Sequence, residues 1–185
     1  MMKKNLRRTL LAQRDAIAAN VRARHDQALC AQVIAWWTRH PVRSLGVYWP
    51  IRSEPDLRAA YAELSKRGVQ LALPVVTAAD APLLFAQWAP GDALTPGFMQ
   101  VPEPAQPRIT VQPEALLIPC VGFNRQGNRL GYGGGFYDRT LANTPRPLTI
   151  GIAYGSASAA FPAAQHDIAL DAIITEDAGF TADER

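Results

Sequence analysis

Residues 44–76 read SLGVYWPIRSEPDLRAAYAELSKRGVQLALPVV, and the change of pattern inside this stretch decides the fold. SLGVYW (44–49) and VQLALPVV (69–76) are apolar runs of strand length. Between them DLRAAYAELSKRG (56–68) reads as a helix with a glycine at its C-terminal end. The order is a βαβ unit, which places the second strand parallel to the first through a right-handed crossover.

Working outward, Leu6, Leu10 and Ile17 recur near helical spacing within 3–18, and Leu29, Val33, Trp36 and Trp37 do so within 20–39. Two N-terminal helices are expected, the second stopped by Pro41. On the other side LLFAQW (83–88) is a strand candidate, and the Pro- and Gly-rich segment to Pro113 reads as an extended loop. ALLIPCVGF (115–123), a short helix over 135–142, LTIGIAY (148–154) and a final short strand AII (172–174) complete the pattern. The expected fold is α/β: a mostly parallel sheet flanked by helices on both faces, in a single domain over residues 1–185.

The chain has 185 residues, 48% hydrophobic, enough for one substantial core. No apolar run reaches the length of a membrane span, and the N-terminus lacks a secretory signal, so no membrane partner is expected. Cys30 and Cys120 form no CxxC pair, and His25, His40 and His166 are isolated. Neither a disulfide framework nor a zinc site is suggested, and no catalytic histidine is assigned. Charge is concentrated at one end. Residues 1–25 hold seven bases (Lys3, Lys4, Arg7, Arg8, Arg14, Arg22, Arg24) against Asp15, whereas the remainder holds twelve bases and fifteen acids. Such an end suits a phosphorylated ligand, a polyanion or simply solvent.

RLGYGGGFYDR (129–139) places four glycines in eleven residues between a strand and a helix. Gly133, Gly134 and Gly135 can take positive φ, and without Cβ atoms they let a ligand approach the main chain, as phosphate requires. The stretch spells neither GxxxxGK[ST] nor GxGxxG. The plainer alternative is a tight strand-to-helix connection with Phe136 and Tyr137 in the core. Asp138 would be repelled by a bound triphosphate unless a cation, Mg²⁺ by ligand preference, lay between them.

RQGNRLGYGGGFYDRTL (125–141) resembles the signature of the 5-formyltetrahydrofolate cyclo-ligase (5,10-methenyltetrahydrofolate synthetase) family. KKNLR (3–7), YWPIRSEPD (48–56) and HDIALDAIITE (166–176) match it in the same order, so the resemblance spans nearly the whole chain. Departures stand at Cys120, Asn124 and Phe136, where related proteins often have glycine, aspartate and tyrosine, and at Tyr132 and Gly134, where some have arginine and lysine. The resemblance implies an ATP- and Mg²⁺-dependent ligase of one-carbon metabolism that closes 5-formyltetrahydrofolate to 5,10-methenyltetrahydrofolate. The basic start has the composition of a mitochondrial presequence, but the match begins at Lys3, so targeting is not expected; two lone cysteines fit a reducing cytoplasm, and a monomer is expected.

By that resemblance Lys3, Lys4, Asn5, Leu6 and Arg7, with Arg129, Leu130, Gly131, Tyr132, Gly133, Gly134, Gly135, Phe136 and Tyr137, would bind ATP. Lys3 and Arg7 share a helix face through their i, i+4 spacing; with no cation inside the loop, Arg125 and Arg129 would add charge. Asp138 and Asp171 would hold Mg²⁺, directly or through water. Trp49, Glu54, Tyr137 and Tyr154 would line the folate site, and Arg129 and Tyr137 would serve catalysis. Arg8 and Arg14 read as a solvated basic face. Two rivals stay open on sequence: a non-catalytic nucleotide- or RNA-binding module, against which the lack of a basic, aromatic-studded sheet surface speaks, and a sugar-phosphate isomerase or acyl-transfer protein sharing an α/β sheet. Nucleic acid is not the expected partner.

Overall fold

A computed structural model of the chain describes residues 2–106, 108–164, 167–177 and 179–181. Helices α1 (Met2–Asp15) and α2 (Ala19–Arg39) open it, followed by β1 (Ser44–Gly46), α3 (Arg58–Lys66), β2 (Gln70–Val75) and β3 (Leu84–Gln87). Then come β4 (Leu94–Pro96), β5 (Pro102–Pro104), β6 (Thr110–Val111), β7 (Ala115–Pro119), β8 (Gly122–Phe123) and β9 (Arg129–Leu130). Helix α4 (Phe136–Leu141) precedes β10 (Leu148–Ile152), β11 (Ala172–Ile174) and β12 (Gly179–Thr181).

Eight strands form one sheet in the order β12-β11-β10-β7-β1-β2-β3-β6. Its five central strands, β11 to β2, are parallel, and antiparallel strands close both edges. The expected βαβ unit is present, with Leu45 opposite Leu71. Parallel strands are covered on both faces, which is why β7 reads as an unbroken apolar run. Leu117 faces Leu29, Val33 and Trp36 of α2 and Tyr61 and Leu64 of α3, while Leu116 and Ile118 face Leu141 of α4. Helices therefore lie on both faces. Cutting Leu117 to alanine would cost about 2–5 kcal/mol, the usual range for a buried leucine.

Four local expectations are corrected. Strand β1 ends at Gly46, with Val47 adding one bond to Ala72 O before the chain turns toward the cleft. The segment 89–113 is not one loop: β4 and β5 pair as a small hairpin and β6 joins the sheet edge. Prolines at 96, 102 and 104 hide those strands, because they are tolerated only where no ladder N–H is needed. The run 115–123 breaks after Pro119, and Gly122–Phe123 instead pairs with β9. Finally, β12 follows the AII strand and pairs with it antiparallel. His166 lies outside the described residues.

Candidate active site

A cleft of about 1300 Å³ opens at the C-terminal ends of the parallel strands, where sheets of this type bind ligands. Its walls are one face of α1, the turn after β1, the glycine loop after β9 and the tip of the β4–β5 hairpin. Helix α1 is anchored there by Leu10, which packs with Val121, Leu130 and Phe161. That anchoring turns Lys3, Lys4, Arg7 and Arg8 onto the cleft.

Gly133 and Gly135 have φ of 103° and 68°, so both occupy the left-handed region that side chains disfavour. Gly134 does not, contrary to expectation; a Cβ there would instead lie 2.8 Å from the Phe136 ring. No protein group accepts from the N–H of Gly133, Gly134 or Gly135 among the described residues. Helix α4 has only six residues, so its dipole adds little, and the positive potential comes from side chains. Arg7 Nε donates to Gly131 O at 2.7 Å, and Lys3 forms an ion pair with Asp167 at the rim.

Arg129 sits inside the loop with its side chain only 7% exposed. Its guanidinium lies 5.2 Å from the Tyr137 ring centre, Nη2 reaches Asp138 Oδ2 at 3.2 Å, and the buried Nε has no partner among the described residues. Burial pushes the Tyr137 hydroxyl well above the usual tyrosine range, against the opposing pull of Arg129, so it remains a neutral donor. Asp138, in the first turn of α4, faces the cleft. A single carboxylate bordering the cleft is compatible with Mg²⁺, which takes one or two carboxylates and completes its shell with phosphates and water.

At the other end, Glu54 is 4% exposed yet borders the cleft. Arg52 and Ser53 hold φ of 47° and 59°, strain of about 1–3 kcal/mol each that turns the carboxylate inward. Oε2 accepts from Ile51 N at 2.9 Å and Oε1 from the Tyr132 hydroxyl at 2.7 Å. Desolvation raises the Glu54 pKa, while the Ile51 and Tyr132 bonds and the Arg14 and Arg52 charges pull it back. Trp49 lies beside it, edge-on to Trp88 with ring centres 6.0 Å apart.

Some expected residues lie elsewhere. Tyr154 is buried against α2, where its hydroxyl donates to Asp26 at 2.6 Å, and it does not border the cleft. Asp171 is not brought to Asp138. Its Oδ2 accepts from Thr149 N at 2.8 Å and Thr149 Oγ1 at 2.6 Å, beside Arg146 at 3.5 Å. Thr149 is in register with Leu116, three residues before the cleft-lining Pro119, which is about 10 Å down the strand. Leu6 packs with Leu10, Asn5 is exposed, and Arg125 is exposed in the β8–β9 turn. Among the described residues no group of three or more His, Cys, Asp or Glu side chains is placed to share a metal ion.

Other residues were hidden from sequence reasoning. Arg14 is not on a solvated face: it is 5% exposed, and its Nη2 donates to Tyr132 Oη at 2.6 Å. Asp167 and the hairpin residues Phe98 and Met99 also border the cleft. Nothing in their spacing marks them; only the quoted stretch 166–176 contained Asp167.

The family model for the "5-formyltetrahydrofolate cyclo-ligase family" matches residues 1–176. The chain belongs to the 5-formyltetrahydrofolate cyclo-ligase family. Among curated relatives of this cyclo-ligase family member, the 5-formyltetrahydrofolate cyclo-ligase of Mycolicibacterium smegmatis is 30% identical, covering 97% of this chain and 96% of its own. That of Mycoplasma pneumoniae is 31% identical, covering 96% and 100%. The cyclo-ligase fold is shared with solved structures. The 5,10-methenyltetrahydrofolate synthetase of Aquifex aeolicus superposes with a TM-score of 0.85 at 27% identity, over 98% of this chain and 93% of that one. The Mycoplasma pneumoniae synthetase gives 0.79 at 28% identity, over 95% and 99%.

Proposed function

We propose that this cleft closes 5-formyltetrahydrofolate to 5,10-methenyltetrahydrofolate while converting ATP to ADP and phosphate. The observation that supports it is the meeting, in one cleft, of a cation-ringed glycine loop and a buried carboxylate. The N5-formyl group is an amide, and its oxygen is a poor leaving group toward the weakly basic N10. Passing the γ-phosphoryl group to that oxygen breaks the bond to ADP and gives an iminium phosphate. N10 then bonds to the formyl carbon and gives up its proton, and phosphate departs with the former formyl oxygen. Nothing here requires a covalent protein nucleophile. The protein positions the reactants and stabilises charge.

In this reading Lys3, Lys4 and Arg7 from α1 and the N–H groups of Gly133 to Gly135 hold the phosphates. Arg129 supplies charge at the transferring group, and the Tyr137 hydroxyl donates a hydrogen bond nearby. Asp138 would hold Mg²⁺, which when bound neutralises phosphate charge. Trp49 offers a flat face to the pterin, and Glu54 accepts its adjacent N–H donors in a two-point contact. Asp171 and Tyr154 have no part in it. We place the activity in a monomer and in the cytoplasm, whose reducing conditions suit the two buried free thiols, Cys30 and Cys120.

The test is optical. The methenyl product is an extended conjugated cation that absorbs in the near ultraviolet. Product is expected only with folate, ATP and Mg²⁺ together, with ADP release dependent on the folate. ATP turnover indifferent to 5-formyltetrahydrofolate would remove the reading.

A further inference from the structure

Tyr132 joins the two ends of the cleft. It belongs to the glycine loop, and its hydroxyl donates to Glu54 Oε1 at 2.7 Å. Arg14, from the last turn of α1, donates to the same hydroxyl oxygen at 2.6 Å and leaves the phenol hydrogen free for Glu54. Two guanidinium groups lie near the ring, Arg14 at 5.8 Å and Arg52 at 5.4 Å from its centre. One residue earlier, Gly131 O accepts from Arg7 Nε, so α1 grips this segment twice. Among the described residues the Nε and Nη1 of buried Arg14 have no hydrogen-bond partner. A buried cation left with two idle donors is costly for stability alone, which is the observation that asks for a role.

Hydrogen bonds in such a chain polarise one another, so Arg14 strengthens the donor that Tyr132 offers Glu54. An ionised carboxylate has about four lone-pair sites, and Ile51 N and Tyr132 use one on each oxygen. One site per oxygen remains, as a two-point contact with a ligand requires. Farther along the loop Arg139 Nη2 holds Gly134 O at 2.7 Å, but among the described residues the Gly133 to Gly135 N–H groups have no protein partner and are left for a ligand to order.

We propose that Tyr132, buttressed by Arg14, is a positioning residue that couples the two substrates: phosphates ordering the glycine loop fix Tyr132, and Tyr132 fixes Glu54 for the pterin. This rests on the function proposed above. Nucleotide bound first removes the ordering cost for the folate, and by reciprocity the folate tightens the nucleotide by the same factor.

The experiment measures 5-formyltetrahydrofolate affinity by calorimetry with and without a non-hydrolysable ATP analogue and Mg²⁺, in the parent protein and in Tyr132→Phe. Phenylalanine keeps the ring beside the guanidinium groups and deletes only the hydroxyl, and melting temperature checks the fold. Expected is at least about a fivefold tightening of folate by the analogue in the parent, falling to near onefold in Tyr132→Phe. A merely structural loss weakens folate equally with and without the analogue and leaves that ratio unchanged. Arg14→Gln, which removes the charge behind the hydroxyl, is expected to reduce the ratio part-way. A parent protein with no coupling, or full coupling in Tyr132→Phe, overturns the proposal while leaving the function intact. A parent protein that binds no 5-formyltetrahydrofolate under either condition removes the function and the coupling together.

Discussion

Glu54 and Asp171 are carboxylates in comparable company, each beside a backbone N–H, a hydroxyl and an arginine, yet their places in the fold point to different roles. At Glu54 the bonds are spread over both oxygens, the residue borders the cleft, and a strained turn aims it inward. At Asp171 a single oxygen collects Thr149 N, Thr149 Oγ1 and Arg146, and these tie the start of β11 to β10. Burial differs between them, Glu54 being 4% exposed and the Asp171 side chain 42%, but exposure alone does not say which acid is placed to meet a ligand. Position along the parallel strands does, because their C-terminal ends open to the cleft and their N-terminal ends close the fold.

Substitutions at the two ends should therefore separate turnover from stability. The largest expected effect is at the glycine loop. Gly134→Val pushes a β-branched side chain into the Phe136 ring and the phosphate space, and turnover should fall about 100-fold or more. An unaltered rate in a protein that melts normally would mean that no phosphate cradle exists.

Glu54→Gln keeps shape and loses charge. Folate affinity should fall about 10- to 150-fold, equivalent to the 1.5–3 kcal/mol of a hydrogen bond to a charged group. Melting temperature at neutral pH should hold or rise. The sign follows from the raised pKa: the folded state keeps this proton to higher pH than the unfolded chain does. The buried charge thus costs stability as pH climbs from the ordinary glutamate value to the raised one. Folate binding runs the other way, weakening as pH falls through the raised value. Calorimetry and melting across pH 4–8 check both, and a melting loss with folate affinity intact would make Glu54 a staple like Asp171.

Asp138→Asn should come next, raising the Mg²⁺ concentration for half-maximal turnover about tenfold, with excess Mg²⁺ restoring activity. A titration that superposes on the parent would free Asp138 of the metal. The smallest functional effect belongs to Asp171→Asn. Its rate and Mg²⁺ requirement should stay within about twofold, while the weakened bonds to Thr149 and Arg146 lower the melting temperature by about 2–4 °C. A Mg²⁺-dependent defect there would restore Asp171 to the site.

How far the sequence could be read follows the same division. Buried parallel strands and the helices covering them advertise themselves through apolar runs and spacing, so 44–76, 115–119 and 148–152 were legible. The glycine signature was legible because bare backbone is rare beside so much chemistry. Arg14 was not: seven bases at the N-terminus look alike, and only the packing of α1 under Tyr132 distinguishes one from the rest. Asp171 misled because a motif fixes order along the chain but not the end of a strand at which a residue falls. Strands β4, β5 and β12 are too short, and β4 and β5 too proline-bearing, to show a period.

The most direct test of the proposed chemistry follows one oxygen atom. With 5-formyltetrahydrofolate carrying ¹⁸O in the formyl group, a single turnover with MgATP should deliver the label into the released phosphate, because phosphoryl transfer to that oxygen precedes its departure. Mass spectrometry of the phosphate reads it. Labelled phosphate in amounts equal to the methenyl product is the result expected; unlabelled phosphate, with ¹⁸O in water or retained on the folate, would contradict it.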